Sequence, residues 1–197
     1  MARGRYPKGE RSRELILDTA LEVVSGRGLD SAPLREIATR VGLSHGALLH
    51  HFGSRENLFT EVLRRRDAVD RLHDDADAHH DAERYPRLVR LARHNVEVPG
   101  LVQLYVGLAA EAADPAHASR PYFVQRRREI AANLVADVRR RQEAGRFDPN
   151  VDPERVADIM IAASDGLQAE WVVDPTIDLP GTLEYLWDRL AGATTVV

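Results

Sequence analysis

"LREIATRVGLSHGALLHHFGSREN", residues 34–57, is the stretch whose reading decides the fold. Leu34, Ile37, Ala38 and Val41 recur at i, i+3, i+4 and i+7, the spacing of one helical face. Pro33 stands in the first turn, where its missing N–H costs nothing, and Gly42 lies just past the end, where a left-handed backbone is cheap. The spacing predicts a helix over about 33–41. Ser44 can cap a second helix over about 45–51. Gly53 stops that helix and Ser54 caps a longer one, whose apolar positions Phe59, Val62, Leu63 and Val69 carry it into the seventies.

Two short helices joined by Gly42-Leu43-Ser44 read as a helix-turn-helix, in which the first helix braces the second and the second enters a DNA major groove by its N-terminal half. Leu43 and Leu48 can seal the pair, and Leu48 and Phe52 read as core. His45, Gly46, Leu49 and His50 are left near the outward side. A side chain at position 46 would hold the backbone away from DNA. Arg55 falls in the first turn of the longer helix, where the helix dipole disfavours a cation and a phosphate would relieve the mismatch. With Arg35 on the bracing helix, Ser44 at the turn and His51, these residues form the candidate DNA-binding set. A solvated surface is the bland alternative for His45, His50 and His51.

Charge is divided unevenly along the 197 residues. Twelve basic against eight acidic side chains give residues 1–66 a net +4, and the rest carry −8. Such a split suggests a head for a polyanion on an acidic body. A chain of this length buries roughly two thirds of its unfolded surface and needs no covalent staples. It has no cysteine, which excludes disulfides and thiolate zinc sites and fits a reducing cytoplasm. The basic N-terminus is followed by no apolar run, and no long apolar window occurs. Neither a signal peptide nor a membrane span is expected, and the expected location is cytoplasmic.

Elsewhere the periodicity is again helical. Residues 1–9 lack a pattern and are expected to be a disordered basic arm. Ile16, Ala20, Val23 and Val24 share a helical face that stops at Gly26-Arg27-Gly28. Tyr85, Leu88, Val89, Ala92 and Val96 form another face, with a break expected at Pro99-Gly100. Leu101, Leu104, Tyr105 and Leu108 follow, then a long amphipathic stretch over about 121–144 and a turn from Gly145 to Pro153. Val156, Ile159, Ala163 and Leu167 lead to Trp171, and a last helix carries Leu183, Leu186, Trp187 and Leu190. No strand pattern or internal repeat is present, so the fold class is all-α.

Other chemistries find little support. His73, His79 and His80 lie among acids in "HDDADAHHDAE", a stretch so polar that it reads as an exposed helix end or loop. No metal and no cofactor is expected. No nucleophile elbow, phosphate-cradling glycine loop or zinc-protease motif occurs, and the chain is not expected to be an enzyme.

The segment "LREIATRVGLSHGALLHHFGSRENLF" resembles the DNA-binding segment of the TetR/AcrR family of transcriptional regulators, over about 50 residues from Arg11 to roughly Leu63. In that family the segment commonly reads Ser-Lys-Gly-Thr-Leu-Tyr-x-Tyr/His-Phe-x-Ser-Lys-Glu. Ser44, Gly46, Leu48, Phe52, Ser54 and Glu56 match it, whereas His45 and Arg55 replace the two lysines and Leu49 the tyrosine. The change at Leu49 removes a usual phosphate donor, for which His50 or His51 can compensate.

The resemblance implies a three-helix helix-turn-helix DNA-binding domain over 10–55, with its motif at about 33–52, joined to a helical-bundle ligand-binding and dimerisation domain over 56–197. It implies a homodimer on palindromic double-stranded operator DNA, acting as a repressor that a small, partly apolar effector releases. The alternative is a helical ligand-binding or scaffolding dimer without specific operator recognition. The implied pocket takes Leu101, Gln103, Leu104, Tyr105, Leu108, Tyr122, Phe123 and Arg126, which could equally fill a core. The implied dimer interface takes Val156, Ile159, Met160, Ala163, Leu167, Leu183, Leu186, Trp187 and Leu190. Ala162, Ala163 and Gly166 are small enough for close helix approach there, or inside an ordinary bundle.

Overall fold

Helix α1 runs Pro7–Arg27, and its apolar stripe of Ile16, Ala20, Val23 and Val24 is buried, as the periodicity requires. The computed structural model describes residues 7–27, 33–76 and 84–192, and among these every element is a helix. After α1 come α2 (Pro33–Arg40), α3 (His45–Phe52), α4 (Arg55–Ala76), α5 (Arg87–Asn95), α6 (Pro99–Glu111), α7 (Arg120–Glu143), α8 (Pro153–Val173) and α9 (Leu179–Leu190). Because α1 begins at Pro7, residues 7–9 of the expected disordered arm are helical, and residues 1–6 lie outside the described ones. The side chains of His73, His79 and His80 also lie outside them. No helix among the described residues is long and apolar enough to cross a membrane.

The break expected at Pro99-Gly100 is instead the start of α6. Proline fits the first helical turn because its fixed φ is already helical and its absent N–H would have no partner there. Pro153 and Pro180 occupy the same place in α8 and α9. Aspartates cap both helices: Asp152 accepts from the Glu154 N–H at 2.9 Å and Asp178 from the Gly181 N–H at 2.9 Å.

Two compact units result. The first comprises Met1–Leu72 with Val98–Arg120. In it α1 packs on α2 and α6, and α2 on α3. Leu101, Val102, Leu104, Tyr105 and Leu108 bury the inner face of α6. The α6–α7 turn is fixed to α4 by a buried 2.7 Å hydrogen bond between the Thr60 and Ser119 hydroxyls.

The second unit comprises His73–Glu97 with Pro121–Val197, and in it α5, α8 and α9 pack together. Trp187 is buried there with its ring 5.1 Å from that of Phe147. Its indole N–H donates to the Arg84 carbonyl, which also accepts from Arg141, itself paired with buried Asp137. A polar chain links α5 to α8: Asn95 donates to Gln168, and Gln168 to the Ser164 carbonyl.

Candidate nucleic-acid interface

The reversal between α2 and α3 is built from backbone bonds. The Leu43 N–H donates to the Ala38 carbonyl at 2.9 Å and the Gly42 N–H to that of Thr39 at 3.2 Å, closing α2. This closure puts Gly42 at φ +69°, where a side chain is strained. Ser44 then adopts an extended conformation, and its hydroxyl accepts from the Ala47 N–H at 3.1 Å to cap α3. Ser54 repeats the device on the Asn57 N–H at the start of α4.

Successive residues of α3 turn by about 100°, so the helix divides into two faces. Leu48, 0 % exposed, and Phe52, 7 % exposed, form the inner one. Gly46 and His50 lie opposite them and are exposed, with Ala47 and Leu49 half-buried on the flanks. His45 is exposed at the N-terminal end, and His51 is exposed about 100° further round than His50. A Cβ added to Gly46 would meet nothing within 4 Å. Of the eight candidate residues, Ser44 serves the fold as a cap, Leu49 is half-buried, and Arg35, His45, Gly46, His50, His51 and Arg55 are exposed.

Arg55 is the first residue of α4, and its guanidinium carbon lies 5.0 Å from the centre of the Phe59 ring. The aromatic face offsets part of the mismatch with the helix dipole and holds the charge at the edge of the motif. Next to it, the Glu56 carboxylate is held below the usual glutamate range. Its own backbone N–H is the main cause, Ser54 and the charges of Arg55 and His117 add to it, and burial opposes it. A depressed folded-state pKa contributes stability above the unfolded value and loses it as the pH falls through the folded one. Glu56→Gln should therefore flatten the acid side of the stability profile, read from denaturant melts at neutral and acid pH.

Three residues outside the expected set hold the motif. Asn57 donates to the Phe52 carbonyl at 3.2 Å, Asp18 accepts from Arg65 at 2.8 Å, and Arg13 reaches α3 from α1. No periodic signal marks them, because each acts between elements.

The implied pocket residues are divided between the two units. Leu101, Leu104, Tyr105 and Leu108 are buried and Gln103 half-buried on α6, in the first unit. Tyr122 is buried and Phe123 and Arg126 half-buried on α7, in the second. The Tyr122 and Phe123 rings meet edge to face at 5.0 Å.

The implied interface residues also separate. Val156, Met160, Leu183 and Trp187 are covered within the protomer, so they are core and offer no surface to a second copy. The reason is that α8 and α9 each carry apolar residues on more than one side, and the inward side claims these four. Ile159 remains 44 % exposed, and Ala163, Leu167, Leu186 and Leu190 are half-buried. Val173, at 84 %, and Tyr185, at 60 %, add exposed apolar area absent from the expected set.

The family model described as bacterial regulatory proteins, tetR family, matches residues 16–62. The HTH-type transcriptional regulator BetI of Rhizobium meliloti is 30 % identical over 161 residues, which cover 79 % of this chain and 75 % of BetI. The crystal structure of a TetR-family transcriptional regulator from Rhodococcus sp. has the same fold, with a TM-score of 0.70 at 22 % identity over 92 % of this chain and 99 % of that one. A transcriptional regulator from Saccharomonospora viridis, solved in complex with choline, has a TM-score of 0.67 at 22 % identity over 91 % of this chain and 95 % of its own.

Proposed function

Because the chain belongs to the TetR family of bacterial regulatory proteins, and is thus a DNA-binding transcriptional regulator, we propose that it is a ligand-responsive repressor working in the cytoplasm. In this reading a homodimer holds a palindromic operator through α3 of each protomer, and a small, partly apolar effector releases it. The observation that carries the reading is the two-faced α3, with Leu48 and Phe52 inward and Gly46 and His50 outward with open space over the glycine. No catalytic step is assigned to the chain.

The exposed residues Ile159, Val173 and Tyr185, with half-buried Ala163 and Leu186, support the dimer, and a two-fold axis suits a palindrome. The packing of α6 on α1 supports the coupling, because a ligand that moves α6 acts inside the compact unit that contains α3. The choline complex of the S. viridis protein makes choline a first compound to titrate. A quaternary ammonium seeks aromatic faces, which Tyr122 and Phe123 supply on α7.

Selection of genomic DNA fragments by the purified protein, followed by footprinting, tests the function. Half-sites about 34–36 Å apart, or a near multiple, are expected for two reading helices in successive major grooves. Failure to enrich any sequence over random DNA overturns the reading. For the effector, operator must weaken ligand binding by the same factor by which ligand weakens operator binding. Calorimetry in both directions measures that equality.

Two further results are expected. Arg55→Ala should weaken operator and random DNA alike and lower the slope of log affinity against log salt by about one, as loss of one phosphate contact does. A changed sequence preference with an intact slope would assign Arg55 to a base instead. The His50→Gln, His51→Gln double variant should bind operator more weakly than the wild type in filter-binding titrations.

A further inference from the structure

We propose that Arg13 is a positioning residue for sequence reading, setting the angle of the recognition helix without touching DNA. The inference rests on the assignment of α3 as that helix. Arg13 lies on α1, and its guanidinium meets three groups. Nη1 donates to the His51 carbonyl in a long 3.5 Å contact, Nη2 lies 3.3 Å from Glu61 Oε2 on α4, and the guanidinium carbon sits 4.7 Å from the centre of the Phe52 ring. One planar cation therefore joins the C-terminal end of α3 to α1 and α4.

That end needs fastening. The last four carbonyls of a helix have no partner within it, and in an eight-residue helix they make up half of all its carbonyls. Leu49 O accepts from the Gly53 N–H at 2.7 Å, which closes the helix on itself but ties it to nothing else. Phe52 O accepts from Asn57 on α4, and His51 O from Arg13 on α1. These two bonds reach outside the helix from different sides, and the negative end of the helix dipole favours a cation at the second.

Geometry gives this end a long reach over the other. His51 lies six residues beyond His45, about 9 Å along the axis at 1.5 Å per residue. A sideways slip of about 2 Å at His51 would tilt the helix by roughly 13°, within the range that decides whether a placed group still functions. Gly46 and the flanking histidines would then approach the base edges at the wrong angle. Phosphate contacts made by Arg55 from α4 would be disturbed less, because α4 is also tied to α1 through Arg65 and Asp18. Arg13 therefore bears on specificity more than on affinity for DNA in general.

Lysine cannot replace it. An ammonium keeps the charge beside Glu61 but has no plane with which to lie on Phe52 while donating to His51 O. Titrations of operator and random duplexes over a range of salt, with thermal melts of each variant, test the proposal. The wild-type protein must first show an operator preference, and its absence would count against the function and not against Arg13. Given that preference, Arg13→Gln is expected to lower operator affinity about tenfold, the scale of one base contact, with random DNA and the salt slope nearly unchanged. Arg13→Lys should lose part of the preference while melting near the wild type. Glu61→Gln removes the ion pair but leaves Arg13 on Phe52 and His51, and it should keep the ratio of operator to random binding. Equal losses on both duplexes with a slope lower by about one would make Arg13 a phosphate ligand and overturn the proposal. So would a ratio that falls with melting temperature in all three variants, or one unchanged in Arg13→Gln.

Discussion

Replacing Gly46 with valine is expected to leave the fold as stable as before and to abolish specific operator binding. The two halves of this result have separate causes. Within the protein a Cβ at position 46 meets nothing within 4 Å, and valine is the better helix former by a few tenths of a kcal/mol, so melting should stay the same or rise slightly. On the proposed reading of α3, the same open space is the approach path of the backbone to DNA. An isopropyl group there would hold α3 off the groove floor and break several base contacts at once. Each good contact is worth about 1–3 kcal/mol, so a loss of about 100-fold or more is expected. Gly46→Ala should fall between the two. Gel-shift titrations beside thermal melts check both halves, and a valine variant that binds operator like the wild type would place the groove-facing surface elsewhere.

Ile159→Asp is expected to yield folded monomers that bind operator about 100-fold more weakly or worse. Ile159 is 44 % exposed in the protomer, so a carboxylate at this position has water within the single chain and should not disturb the bundle. At an apolar contact between two copies the same carboxylate would be buried without a partner, which is strongly destabilising. Losing the dimer unlinks two half-site contacts, and linkage of that kind raises apparent affinity by about 10²–10⁴. Sedimentation velocity reads the assembly state and melting reads the fold. A variant that remains dimeric with its fold intact would move the interface off α8. Trp187→Asp would not serve as this test, because Trp187 is buried in the protomer and its loss would damage the core directly.

The contrast between Ile159 and Trp187 shows where sequence reading stopped. The helix-turn-helix was legible because all of its signals are local: a 3.6-residue apolar period, a glycine where the chain takes φ +69°, and a serine that caps. The outward places of Gly46 and His50 followed from the same periodicity, whereas Leu49, expected beside them, is half-buried. Spacing alone could not say which apolar side of α8 or α9 faces inward, since that depends on what packs against each helix. The break expected at Pro99-Gly100 and the turn expected to run through Pro153 misled for a related reason. Proline ends a helix from inside but suits its first turn, and only the capping geometry tells the two apart. In α9 that geometry is tight enough that a Cβ on Gly181 would lie 2.2 Å from an Asp178 carboxylate oxygen. Arg13 was beyond reach of any local signal, because its three contacts lie 38 to 48 positions away in the chain.

The division of α3 into a buried and an exposed face also bears on how such a protein can change over generations. Leu48 and Phe52 hold the helix in place, while His45 and His50 are exposed and contribute little to its packing. On the proposed reading of α3, substitutions on its exposed face can therefore alter which DNA is preferred at almost no cost in stability, since surface changes of that kind usually stay within about 0.5 kcal/mol. A duplicated copy could drift from one target to another through intermediates that all fold, with the rest of the chain inherited unchanged. On that reading the address is written on residues that the scaffold does not need, so it can be rewritten without rebuilding the reader.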